Sequence, residues 1–171
     1  MPFVDDYLPY LLARASHLVS SGFHAELRRR GVPVGVWRVL ATLCDREALT
    51  VGELAERVLM KQPTLTKLVD RMVAEGLVER REVPGDRRKV EVRITAEGRH
   101  RVAPLLAAAR EHERAILAVC TGAGGRVLKE TLATLLRALA GGGSTGEMEK
   151  DHAEGDDAGG DQADAAEGLA Q

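Results

Sequence analysis

A mainly α fold with a small β component (α+β) follows from three observations on this 171-residue chain. Apolar residues recur at three-, four- and seven-residue intervals over most of the first 140 positions, the period of helices with one buried face. A complete helix start at Thr50 is soon followed by another at Pro63, the arrangement of a short helix, a tight turn and a longer helix. Two strand-like stretches then flank the turn pair Pro84-Gly85, the mark of a hairpin.

The elements follow in order. Residues 5–29 read as one helix, with Leu8, Leu11, Leu12, Ala15, Val19, Phe23 and Leu27 on its apolar face and Gly31 and Pro33 ending it. A second helix over about 35–46 aligns Trp37, Leu40, Ala41 and Cys44, which makes Cys44 a buried structural thiol. Thr50-Val51-Gly52-Glu53 is a capping box, and Leu49 with Leu54 forms a hydrophobic staple for a short helix near 51–58. Pro63 opens the next helix, which runs to about Glu75 with Gly76 as its cap. Its inward stripe is Leu65, Leu68, Val69 and Met72; its opposite face carries Thr64, Thr66, Lys67, Asp70, Arg71 and Ala74.

Residues 77–82 and 89–95 form the hairpin, in which Val90, Val92 and Ile94 alternate with Glu91, Arg93 and Thr95. Three consecutive cations, Arg87-Arg88-Lys89, follow Asp86 at the tip, and Arg80 and Arg81 add charge to the first strand. A helix pair joined to a cation-tipped hairpin is a winged helix-turn-helix. In that arrangement a helix enters the DNA major groove while the hairpin reaches the adjacent minor groove or the phosphates. Thr95 caps a helix that runs through Pro104, expected to kink it, to about Val119. Gly122, Gly124 and Gly125 then separate it from a last helix near 126–140. The first helix and these last two carry more apolar surface than one winged helix covers, which predicts a homodimer with interleaved terminal helices.

The charge balance agrees with a nucleic-acid partner once it is localised. The whole chain has net charge -2, from 24 bases and 26 acids. Residues 141–171 hold nine of the acids and one base, which leaves 23 bases and 17 acids, a net of +6, in residues 1–140. Arg outnumbers Lys by 19 to 5, and guanidinium makes bidentate contacts that ammonium cannot. The Gly-, Ala- and acid-rich segment 141–171 is expected to be a disordered, solubilising tail. A sharper reading has its carboxylates compete with DNA for the basic wing, which truncation at Gly141 tests by non-specific affinity at low salt.

Leu65-Thr66-Lys67-Leu68-Val69-Asp70-Arg71-Met72, then Glu75-Gly76-Leu77-Val78-Glu79-Arg80, then Asp86-Arg87-Arg88-Lys89-Val90-Glu91-Val92-Arg93-Ile94-Thr95-Ala96-Glu97-Gly98 together resemble the MarR family of bacterial transcription regulators. The likeness covers roughly residues 5–140, and its wing signature reads G-L-[VI]-x-R followed by D-x-R-x-x-x-[VI]-x-[LI]-T-x-x-G. It implies one domain over residues 1–140, with dimerisation helices at about 5–30 and 99–140 and a winged helix-turn-helix at about 34–98. It further implies a homodimer on a pseudo-palindromic double-stranded operator, repression in most such proteins, and release by a small molecule.

By this resemblance Arg88 enters the minor groove, Asp86 orients it, and Arg87 and Lys89 meet phosphates. Gln62, Thr64, Thr66 and Lys67 are the candidates for base contacts, with Arg71 on a phosphate. The implied effector is an organic ligand, in such proteins often an anionic aromatic compound, in a crevice between the dimerisation helices and the DNA-binding lobe. His17, Trp37 and Arg38 are its candidate contacts by position.

Other functions have less behind them. No cofactor is expected, and the chain holds no G-x-S-x-G, P-loop, G-x-G-x-x-G or H-E-x-x-H motif, so it is not read as an enzyme. None of His17, His24, His100, His112 and His152 has a histidine three or four residues away, so no metal site is predicted, although zinc held between helices stays open. Redox sensing through Cys120 stays open too, as does use of the wing as a protein-binding surface. The acidic start and the absence of an 18-residue apolar run predict a cytoplasmic protein without membrane contact.

Overall fold

The computed structural model describes residues 3–46, 48–83, 86–120 and 122–141, with backbone alone for residues 83 and 86–89. The Pro84-Gly85 turn, the side chains of Asp86, Arg87, Arg88 and Lys89, and all but the first residue of the acidic tail lie outside that description. The elements run α1 (Phe3–Asp6), α2 (Leu8–Arg29), α3 (Val34–Cys44), β1 (Leu49–Thr50), α4 (Val51–Val58), α5 (Gln62–Ala74), β2 (Val78–Val83), β3 (Asp86–Ile94), α6 (Ala96–Leu117) and α7 (Gly124–Gly141). The chain divides into two units, Met1–Lys129 and Glu130–Gln171. The first holds everything up to the opening of α7; the second continues that helix to Gly141.

The capping box at Thr50 forms in full. The Thr50 hydroxyl accepts from the Glu53 N–H at 3.3 Å, and the Glu53 carboxylate accepts from the Thr50 N–H at 2.8 Å. Leu49 and Leu54 are both buried beneath it. Pro63 lies in the first turn of α5, and Gly76 ends that helix at φ +71, a conformation that favours glycine. Thr95 caps α6 by accepting from the Gly98 N–H at 3.0 Å while donating to the Gly76 carbonyl at 2.7 Å, which ties the end of α5 to the start of α6. Gly98 is required there: a Cβ would collide with the Leu77 carbonyl oxygen and lie 2.8 Å from Ile94 Cγ1.

Four expectations need correction. The helix expected over 5–29 is broken at Tyr7, because Pro9 has no N–H to continue a ladder begun at Phe3. Leu49 and Thr50 also form a strand, pairing antiparallel with Val92 and Glu91, so the sheet has three strands in the order β1-β3-β2. Two residues are too short a run for any alternation to register. The cationic run Asp86–Lys89, expected at the tip, has its backbone within β3, where Asp86 pairs with Val83. Gly124 and Gly125 belong to α7 and not to a linker; Gly125 is buried, and a Cβ there would meet Leu117 at 3.2 Å, so the glycine admits the end of α6. α6 itself runs unbroken through Pro104.

One apolar core joins Phe23 and Leu27 of α2, Val36, Val39, Leu40 and Leu43 of α3, the inner faces of α4 and α5, Val92 and Ile94 of β3, and Val102 and Leu105 of α6. Leu40, Leu54, Leu65, Val69 and Met72 are fully buried, and no polar or charged side chain is buried among the described residues. The position of α5 is therefore set by tight apolar packing on one face, which leaves its other face to solvent.

Candidate functional site

On α5, Gln62, Thr64, Lys67 and Arg71 are exposed, while Thr66 is half-buried and donates its hydroxyl hydrogen to the Gln62 carbonyl at 2.9 Å. Thr66 therefore has only lone pairs and a methyl group left for a base edge. The N-cap Lys61 makes no side-chain cap bond at the start of α5, and Pro63 in the first turn has no N–H to satisfy. Arg71 sits 3.8 Å from Glu75 at the far end of the helix. Asp70 receives an ion pair from Arg80 at 2.7 Å, which fastens α5 to β2 and sets the helix against the wing strand. Arg80 is thus partly neutralised, as is Arg81 by Glu79 at 2.7 Å, and both add less to the basic surface than their sequence positions suggest.

The residues expected to meet an effector fall in two neighbouring cavities. Trp37 and Arg38 of α3 line one of about 250 Å³, together with Phe23 and His24 of α2 and His112 of α6. His17 lines the other, of about 400 Å³, with Ser16, Ser21, His24, Arg28 and Arg38. Ser20, His24 and Arg38 are common to both. Trp37 meets Phe23 edge-on at 5.0 Å, and the His112 ring lies 5.8 Å from Phe23. His112 Nε2 is 2.8 Å from the Val19 carbonyl, an acceptor, so Nε2 carries the hydrogen and donates. A Cβ on Gly22 would lie 2.9 Å from the same imidazole, so the glycine makes room for this link between α2 and α6. Arg38 also donates to the Val58 carbonyl at 3.4 Å, at the end of α4 and just before the turn into α5.

Motif and spacing do not single out His24, Arg28 or His112 as site residues. His112 has no local signal, since its partner Val19 is 93 residues away in the chain. The α2 residues do share a face: positions 17, 21, 24 and 28 place His, Ser, His and Arg at helical four- and three-residue spacing, a polar stripe that can be read from the sequence alone. Cys44 is half-buried against the core, Cys120 is half-buried near the end of α6, and both are free thiols. Among the described residues no group of three or more His, Cys, Asp or Glu is placed to hold a metal ion, and no helix is long and apolar enough to cross a membrane.

The MarR family model matches residues 30–89, from the end of α2 to the cationic run. The crystal structure of a MarR family transcriptional regulator from Silicibacter pomeroyi DSS-3 superposes with a TM-score of 0.73 at 42% identity, over 81% of this chain and 99% of that one. NadR in complex with 4-hydroxyphenylacetate superposes with a TM-score of 0.69 at 26% identity, over 75% of this chain and 92% of that one. The transcriptional repressor IacR of Pseudomonas putida is 31% identical over 63% of this chain; the match spans 64% of the length of that relative. With its helix-turn-helix, three-stranded wing sheet and flanking helices, the chain belongs to the MarR family of transcriptional regulators.

Proposed function

We propose that this chain is a homodimeric repressor that binds double-stranded operator DNA and is released by a small anionic aromatic ligand. The observation that carries the DNA part is the exposed polar face of α5, held by a fully apolar inner face and clamped to the wing through Asp70 and Arg80. Gln62, Thr64, Thr66 and Lys67 then meet base edges in the major groove, while Arg71 holds a phosphate. Asp86 orients Arg88 into the minor groove, with Arg87 and Lys89 on phosphates. Residues 1–140 form the functional unit, which acts in the cytoplasm on a pseudo-palindromic site. A gel shift against the chain's own upstream DNA tests this. Arg88→Ala is expected to weaken operator binding by about 1–3 kcal/mol while random DNA loses much less; an equal loss on both would overturn the groove role.

The dimer rests on apolar surface that one copy leaves bare. Phe3, Leu8, Leu11, Leu12 and Leu18 at the N-terminal end are all exposed. The ligand part rests on Arg38, which lines both cavities and also donates to Val58. A carboxylate in the cavity competes for this guanidinium and draws it from the last residue of α4, which frees the turn that carries α5. The ligand must favour the spacing of recognition helices that does not fit DNA. The solved NadR complex with 4-hydroxyphenylacetate is consistent with an aromatic acid in a related protein. Arg38→Gln is expected to keep operator binding and to abolish release by such an acid. Release that persists in this variant would remove Arg38 from the route.

A further inference from the structure

The two cavities differ in character, and the difference bears on what the ligand looks like beyond its ring. This step rests on the effector reading above. The cavity at Trp37 has an aromatic wall of Phe23, Trp37 and the His112 ring beside the shared Ser20, His24 and Arg38, and at about 250 Å³ it exceeds the roughly 150 Å³ cavity that accommodates benzene. An aromatic ring therefore fits it with room to spare. The neighbouring space of about 400 Å³ has no aromatic carbocycle in its wall; serine hydroxyls, two imidazoles and two guanidinium groups line it, without any carboxylate. His17, Ser21, His24 and Arg28 reach it from one face of α2, and Arg38 reaches it from α3.

Arg29 and Arg30 both bond to Glu26, whereas Arg28 points along the cavity face, and no described carboxylate pairs with it. A single carboxylate at Arg38 would leave this second cationic space filled with water only.

We propose that the second cavity is a subsite for a doubly charged anion, so that the effector is a bipartite molecule: an aryl ring against Trp37 and, one or two bonds beyond it, a phosphate-like or dicarboxylate group held by Arg28 and Arg38. Two guanidinium groups offer paired donors to a dianion that a monoanion cannot use fully. Ser16 and Ser20 supply neutral hydroxyl groups along the same wall, whereas the Ser21 hydroxyl already donates to the Leu18 carbonyl at 2.9 Å.

The test uses the full chain and its single tryptophan, Trp37, as a fluorescence reporter. Phenylacetate and benzylphosphonate share a ring and a one-carbon spacer and differ in charge at pH 8.5. Benzylphosphonate is expected to bind at least about tenfold more tightly, as one extra charge-assisted contact provides. Arg28→Ala is expected to remove that advantage and leave phenylacetate affinity unchanged; Arg28 is exposed, and an unchanged melting temperature verifies the fold. Equal affinity for the two probes, or equal losses for both in Arg28→Ala, overturns the dianion subsite while keeping the aromatic pocket. Failure of both probes to bind overturns the effector pocket itself, and the subsite falls with it.

Discussion

The lobe formed by α3, α4, α5 and the sheet closes over its own apolar residues, whereas α1 and the part of α2 before Phe23 do not. From Phe23 to Leu105 the inner faces are buried; over residues 3–22 no side chain is, and Leu8 and Leu18 are 55% and 63% exposed. Both regions carry the same leucine-rich helical period. Periodicity therefore says that a helix has an apolar face, and nothing of what covers it. In the DNA-binding lobe the cover is local chain; at the N-terminal end a second copy is the proposed cover.

Substitutions at the two ends of this comparison should behave in different ways. The largest effect is expected for Leu65→Ala, which empties a fully enclosed site in the lobe and should cost about 2–5 kcal/mol in urea unfolding, whatever the protein concentration. A cost below about 1 kcal/mol would mean the lobe is loosely packed.

Leu12→Arg tests the other end. It should leave the lobe folded by circular dichroism yet raise the dimer dissociation constant at least about tenfold in sedimentation equilibrium. Unaltered self-association would place the interface elsewhere. Thr50→Ala sharpens the view of the lobe as locally determined, since it removes one cap and should cost about 1 kcal/mol. Equal stability of the two proteins would make the capping box redundant with the packing of Leu49 and Leu54.

The smallest effect concerns Glu26, where α2 passes from its bare part to its buried part. The Arg30 hydrogen bond, helped by Arg29, holds its carboxyl below the ordinary glutamate range. A lowered folded pKa means a stabilising contribution present above the unfolded value and lost as pH falls through the folded one. Glu26→Gln should therefore be slightly less stable than the parent at neutral pH, with the gap closing in acid. A gap that widens in acid would contradict this sign.

Local chemistry is legible in the sequence and long-range assembly is not. Thr50 and Glu53 sit three residues apart, so their reciprocal caps can be read directly; Thr95 and Gly98 are similar. Leu49 as a strand residue depends on Val92, and the partial neutralisation of Arg80 depends on Asp70 of another element. Trp37 and Arg38 are expected near a ligand from the family likeness, but the cavity wall they share also needs His112 from α6, which no spacing rule supplies. The break at Tyr7 is legible in Pro9, yet the apolar period on both sides outweighs it.

The most direct measurement of the central claim is a footprint of the full chain on its upstream DNA, paired with the stoichiometry of the same complex. Two chains per site, with protected half-sites centred about one helical turn apart and binding that weakens steeply with salt, is the expected result. One chain per site, or no protection at low ionic strength, would contradict the account.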